Sequence, residues 1–540
     1  MNEMMLINGR VYTQDDLNPW AEAILIRSGR IIATGSTDQL LSSRGSQTQL
    51  IDLQGQLVLP GLTDAHFHFH DWSLSRRELA LAGVKSVHEL GQRLTIAAQS
   101  APSGTWIMGQ GWNETTWADQ SLPNRTDLDT AAPNHPAILW RSDLHLAVAN
   151  STALRLAGLT AATPNPPDGV IDRDASGQPT GVLRELAINL VSQIIPTPTE
   201  SGTVQAMREA LPVLHSLGLT GLHDFRIMGG AEASRAFRAY QHLHKQGQLA
   251  LRLWMNIPLE HLDQAITLGL RTGFGDDFLQ IGHVKLFSDG SQGARTAWML
   301  EPYLDTGQAG MPLTPMAEIA EAVHRADQAG LAVAIHAIGD RANRELINVF
   351  EEVLSGSRSK SGARPAAPHR IEHVQNIRPD DLARLARLAR LGIVASVQPI
   401  HATDDMNMLE QSVGSRSRYC YVFNDMLKAG LTLALGSDCP VADPNPLWGI
   451  HAAVTRQDRN AQPPDGWYPQ QRLSVAQAVY GYTLGPAIVT GRSHLLGSLS
   501  PGKFADLVVL DRDIFSIDPA EIADTKVILT LLDGRIVHQV

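Results

Sequence analysis

Residues 57–70 read L-V-L-P-G-L-T-D-A-H-F-H-F-H, an apolar run that ends in three histidines. A strand with one wet face alternates polar and apolar residues, whereas a nearly continuous apolar run is expected of a parallel strand covered on both faces. With Leu57 to His66 as the first, eight such runs occur; the others are Gly218 to Asp224, Leu251 to Ile257, Ile281 to Phe287, Ala332 to His336, His369 to His373, Ile393 to Val397 and Leu431 to Asp438. Helix-period stretches separate most of them, among them M-A-E-I-A-E-A-V-H-R-A-D-Q-A (316–329) and D-D-L-A-R-L-A-R-L-A-R-L (380–391). Eight strand–helix units predict an α/β fold, a (β/α)8 TIM barrel.

The two ends of the chain have a different pattern. E-A-I-L-I-R-S-G-R-I-I-A-T-G (22–35) and V-I-L-T-L-L-D-G-R-I-V-H-Q-V (527–540) each place two short strand-forming runs around a tight-turn pair, Ser28-Gly29 and Asp533-Gly534. Both predict hairpins. The ends are expected to pair into one small sheet domain, a composite β-sandwich of residues 1–59 and 490–540, beside a barrel domain of residues 60–489. The gap between the first and second barrel strands is too long for one helix and a loop. Residues 72–205 are therefore read as an inserted subdomain that caps the barrel mouth, with Trp106, Trp112, Trp117 and Trp140 as its aromatic material.

Composition agrees with a folded chain of more than one structural unit: 540 residues, 43% hydrophobic and 18% charged. A formal net charge of −11 argues against a nucleic-acid partner, because phosphate binding needs a positive footprint. No basic and apolar leader opens the sequence, and no apolar run approaches the length that spans a bilayer. The expectation is a cytoplasmic protein whose partner is a small-molecule substrate, with no membrane partner and with homo-oligomerisation left open. Two cysteines, Cys420 and Cys439, provide no disulfide framework and no cysteine-rich zinc or iron–sulfur pattern.

In such a barrel the functional residues lie at the carboxyl ends of the strands. The first run ends D-A-H-F-H-F-H, so either His66 with His68 or His68 with His70 can reach one ion, residues two apart lying on the same side of a strand. The fifth run delivers His336, the sixth His373 and the eighth Asp438. Each alone is as readily a core histidine, a solvated strand end or a helix cap; gathered around one mouth they describe a metal site. Lys285 ends the fourth run. A buried lysine must be paired, here with Asp289 or Asp224, or neutral. If neutral, its amine can add carbon dioxide, release a proton and become a carbamate able to bridge two metals.

The P-G-L-T-D-A-H-F-H (60–68) and P-G-K-F-A-D-L-V-V-L-D (501–511) segments resemble the amidohydrolase superfamily over nearly the whole chain. K-L-F-S-D-G-S-Q-G-A-R-T-A (285–297), H-A-I-G-D-R-A (336–342) and R-I-E-H-V-Q (370–375) resemble the branch that includes N-substituted formamide deformylases. The resemblance implies a metal-dependent hydrolase of a non-peptide C–N bond, with one or two divalent metal ions, zinc foremost. It implies His66, His68, Lys285 (carboxylated on Nζ), His336, His373 and Asp438 as ligands, and Asp438 as the general base and acid. Trp112, His145 and Asp289 are implied to contact substrate, although Trp112 is as readily core of the insert. Cys439, beside Asp438, is read as a small buried residue rather than a thiolate ligand. A deaminase on the same barrel, or a non-catalytic binding barrel, remains the alternative. The deaminases of this group carry a glutamate three residues after the fifth-strand histidine, where this chain has Gly339.

Overall fold

The computed structural model describes residues 3–114, 117–141, 146–166, 169–226, 233–357 and 364–540. The chain divides into two compact units, Met1–Trp72 with Met207–Val540, and Ser73–Ala206. The first holds an eight-stranded sheet, parallel throughout: β1 (Leu62–Phe67), β2 (Leu219–Asp224), β3 (Arg252–Pro258), β4 (Leu279–Phe287), β5 (Val333–Ala337), β6 (Arg370–His373), β7 (Val394–Val397) and β8 (Leu433–Leu435). The strands pair in chain order, and a bridge between Phe67 and Cys439 brings β1 and β8 together, so the sheet is nearly closed.

Helices cover its outer face where the sequence repeats at helical spacing. In α1 (Met316–Gln328), Ile319, Ala322, Val323 and Ala326 form the buried stripe. The helix α2 (Asp340–Ser357) follows β5, and α3 (Pro379–Arg390) follows β6. The proline that opens α3 gives up no helical hydrogen bond there, and its end charges, Asp380 and Asp381 first and Arg387 and Arg390 last, oppose the helix dipole.

The apolar run that begins at Leu57 is two strands, not one. Leu57–Pro60 pairs with Leu507–Leu510 and Arg10–Tyr12, outside the barrel, and β1 begins only at Leu62. Between them sits Gly61, where a Cβ would stand 2.4 Å from Thr220 Oγ1. The terminal hairpins form as expected, with Ser28, Gly29, Asp533 and Gly534 at positive φ. They lie in two sheets. A four-stranded sheet holds the first hairpin and a six-stranded sheet the second, and one apolar cluster including Leu6, Ile24, Val58, Leu507 and Leu529 draws on both. The Ser73–Ala206 unit has its own six-stranded mixed sheet, with apolar clusters of its own.

One buried ion pair links barrel and terminal strands: Arg252, at the start of β3, meets Asp506 at 2.5 Å, both 6% exposed. Asp506 also accepts the N–H of Asp533 at 2.8 Å. Asp506→Ala would leave the guanidinium buried without its main counter-charge, a loss of about 3–5 kcal/mol. A urea-unfolding midpoint for Asp506→Ala within error of wild type would contradict this role.

Candidate metal centre

Five strand ends deliver side chains to one buried cluster. His66 and Asp438 are adjacent because β1 and β8 are: Asp438 N–H donates to His66 O at 2.8 Å, and His68 N–H donates to Cys439 O at 2.9 Å. Asp438 Oδ1 stands 2.9 Å from His68 Nε2 and 3.5 Å from His66 Nε2. The His66 and His373 rings are 4.9 Å apart between centroids, and the His336 and His373 rings 4.5 Å. Donor atoms of His66, His68 and Asp438 all lie within 4.8 Å of one another. His70 turns away into the helix Phe69–Ser75, its Nδ1 3.0 Å from Asp71, so the first-strand pair at the cluster is His66 with His68.

Each imidazole has one nitrogen committed to an oxygen acceptor. Nδ1 of His66 donates to Glu372 Oε2 (2.6 Å), Nδ1 of His68 to the Phe225 carbonyl (3.0 Å) and Nδ1 of His373 to Gln398 Oε1 (2.8 Å). Nε2 of His336 donates to the Gly290 carbonyl (3.1 Å). For His66, His336 and His373 these bonds fix the tautomer and leave the opposite nitrogen with a lone pair, the form a metal takes, whereas His68 also meets Asp438 Oδ1 through Nε2. Burial, reinforced by Lys285, pushes His66 down to about 4 and His336 down to about 3; burial and His336 push His373 well below the usual imidazole range. Neutral nitrogen donors and an ionised carboxylate suit zinc, manganese, iron or cobalt.

Glu372 and Phe225 were not singled out in the sequence. Burial alone would raise the Glu372 carboxyl, but the Arg370 guanidinium and His66 hold it well below the usual carboxylate range. Arg370 is itself anchored on the Ala65 carbonyl (2.6 Å) and Ser396 Oγ (2.7 Å). The signal lies within R-I-E-H: Arg370 and Glu372 are two apart on β6 and share a face. Phe225, just past β2, stacks on His66 with centroids 4.1 Å apart. The backbone is strained where it presents ligand-type residues, with φ of 71° at His373, 43° at Val374 and 60° at Asp438. Such conformations cost about 1–3 kcal/mol each and persist where surrounding structure imposes them.

Lys285 is 3% exposed, and no carboxylate lies within ion-pair distance of it among the described residues. Its Nζ rests over the rings of Phe225 (4.7 Å) and Phe287 (4.8 Å), and burial pushes its pKa down to about 8. The alternative of an ion pair with Asp289 or Asp224 fails for identifiable reasons. Asp289 is saturated by the N–H groups of Trp298, Ile338 and Gly339 (2.8–3.0 Å), and Asp224 is taken by Arg226 and Tyr240. Asp289, fully buried, offers no surface for substrate and instead ties the loop after β4 to the turn after β5. Trp112 likewise has no exposed surface: it packs in the core of the Ser73–Ala206 unit against Trp117 and donates to the Leu139 carbonyl at 3.1 Å. Cys439 is buried. His145 lies outside the described residues.

Residues 49–538 match the profile of the Amidohydrolase family. The chain is 34% identical to protein LONG AFTER FAR-RED 3 of Arabidopsis thaliana, over 99% of this chain and 91% of that one. It is 29% identical to an N-substituted formamide deformylase of Arthrobacter pascens, over 99% and 98% of the two chains. A crystal structure of an uncharacterized metal-dependent hydrolase from Pyrococcus horikoshii superposes with a TM-score of 0.77 at 29% identity, covering 96% of this chain and 99% of the other.

If the Glu372 carboxylate sets the His66 tautomer, Glu372→Gln should weaken binding of a divalent ion by about 10–100-fold. Competition with a chromophoric chelator measures this, with a thermal melt to confirm folding. Unchanged affinity in a folded variant would remove Glu372 from the account.

Proposed function

The chain belongs to the Amidohydrolase family and is a hydrolase acting on carbon–nitrogen bonds, and we propose that it cleaves a non-peptide, amide or formamide-like bond of a small molecule in a metal-dependent reaction. The observation that carries the proposal is the set of strand-end imidazoles gathered around the Asp438 carboxylate, with His66, His336 and His373 each holding one ring nitrogen on an oxygen acceptor and leaving the other toward the cluster. His66, His68, His336, His373 and Asp438 would hold one or two divalent ions, zinc foremost. A bound ion supplies Lewis acidity, lowering the pKa of water from about 15.7 to near 7 and polarising the substrate carbonyl.

In this reading Asp438 takes a proton from the attacking water on its carboxylate and returns it to the departing nitrogen. Contacts from His66 and His68 hold that carboxylate well below its usual range against the effect of burial, so it starts the cycle as a base. The lysine amine, in no ion pair with a carboxylate among the described residues and lowered to about 8, is suited to add carbon dioxide, lose a proton and present a carbamate oxygen to the cluster. The deamination alternative is disfavoured at position 339. A Cβ there would lie 1.9 Å from the Trp298 carbonyl, so a glutamate has no room on this backbone.

The same proposal includes the two terminal sheets as a sandwich, a cytoplasmic setting and a small-molecule partner. Among the described residues no helix is long and apolar enough to cross a membrane. N-substituted formamides head the substrate panel because the Arthrobacter relative is named for deformylating them; N-acyl amino acids, cyclic amides and carbamates complete it.

Screening the metal-loaded protein against that panel for released amine tests the reaction class, and absence of turnover on every amide would contradict it. On the best substrate, Asp438→Asn should lower kcat by about 10²–10⁴ while the protein stays folded; near-normal turnover would move the base role elsewhere. Lys285→Ala should lose most activity, with part restored by added acetate or propionate, which replace a carboxylate-like group. Full activity without rescue would dismiss the carbamate.

A further inference from the structure

Arg370, the guanidinium behind Glu372, is anchored from β2 as well as from β1 and β7. Its Nη1 donates to Nδ1 of His223 at 2.9 Å, across the barrel interior, and both side chains are buried. Nε and Nη2 grip the two oxygens of Glu372, and Nη2 also meets the Ala65 carbonyl and Ser396 Oγ. Nη1 has a single hold: among the described residues His223 is its one hydrogen-bond acceptor.

A guanidinium keeps its protons, so the His223 nitrogen that faces it must be the acceptor, in a neutral ring protonated on Nε2. Burial, with Arg370 and His283 beside it, pushes this imidazole well below its usual range and holds it in that form. His223 is not among the side chains gathered around Asp438. With Thr63, Thr220 and Gln280 it borders a cavity at the amino-terminal ends of the strands, away from the ligand-type residues at their carboxyl ends. Removing it therefore takes no donor from an ion.

Four side chains run in series: His223 to Arg370 (2.9 Å), Arg370 Nη2 to Glu372 Oε2 (2.9 Å) and Glu372 Oε2 to His66 Nδ1 (2.6 Å). Without the His223 acceptor an N–H of the guanidinium would be buried unpaired, and the fork would turn to satisfy it. The carboxylate it grips would turn with it, and so would the hydrogen bond that sets the His66 ring. We propose that His223 is a positioning residue of the metal centre, acting through Arg370 and Glu372 to fix His66 for a divalent ion that His223 itself never touches. The inference rests on the metal-dependent reading of the site.

Zinc affinity of the full-length protein, measured by competition with a chromophoric chelator and accompanied by a thermal melt, tests it. His223→Leu fills the space but accepts no hydrogen bond, and should bind Zn²⁺ about tenfold more weakly than wild type, the lower end of what outer contacts of a metal ligand contribute. His223→Asn, whose Oδ1 takes the place of Nδ1, should recover most of that affinity. In a double-mutant cycle, His223→Leu added to Glu372→Gln should cost little further affinity, because both changes act through the same carboxylate. If His223→Leu does not fold, His223→Met takes its place, its flexible side chain adapting to the same space. A folded apolar variant with wild-type affinity overturns the assignment, as does a His223→Asn as weak as that variant or a fully additive loss in the double variant. A wild type that binds no zinc contradicts the metal-dependent reading itself.

Discussion

Asp64 fastens the first barrel strand to the last. Fully buried, its carboxylate accepts the N–H of His66 at 3.0 Å, and from the far end of the sheet the N–H of Ser437 at 3.0 Å and its hydroxyl at 2.6 Å. Gly436 permits the approach, since a Cβ there would stand 2.6 Å from both Asp64 Oδ1 and the His66 nitrogen. Burial pushes the Asp64 carboxyl up to about 7 even with these donors around it, a measure of how dry the junction is. Without this clasp His66, His68 and Asp438 would belong to opposite edges of a sheet. With it they share one point, and the remaining imidazoles, His336 from β5 and His373 from β6, close around them in strand order.

The second layer of the arrangement is orientation. A histidine cluster without fixed tautomers would be a set of competing hydrogen bonds; here Glu372, Phe225, Gln398 and Gly290 each hold one ring nitrogen. Arg370 in turn holds Glu372, so an ionised glutamate sits in the barrel interior without being orphaned. Paired in this way, a charge that would otherwise be costly to bury becomes a means of directing His66. The left-handed backbone at His373, Val374 and Asp438 is maintained by the same over-determination.

Much of this was legible in the sequence, and the reasons differ by element. Parallel strands covered on both faces must be apolar along their length, so seven of the eight runs located their strands to within a few residues. The exception, Leu57 to His66, is apolar because it serves two sheets in succession, and periodicity cannot show where one ends. Histidines and an aspartate at strand ends were visible because polar residues are rare there. Glu372 was not, being a single carboxylate inside an apolar strand beside a more conspicuous histidine; nor was His223, whose partner Arg370 reaches it only across the barrel. Trp112 stood open between substrate contact and core, because aromatic residues within 73–206 do not reveal in the sequence which face they occupy; this one is core.

The central claim is that these side chains gather around a divalent ion. Anomalous diffraction from crystals grown without chelator, recorded on both sides of the zinc absorption edge, tests it most directly. The account predicts an anomalous peak at about 2.0–2.2 Å from the free ring nitrogens of His66 and His68 and from Asp438, with any second peak beside His373. Ordered imidazoles with no anomalous density between them, in crystals supplied with zinc, would contradict it.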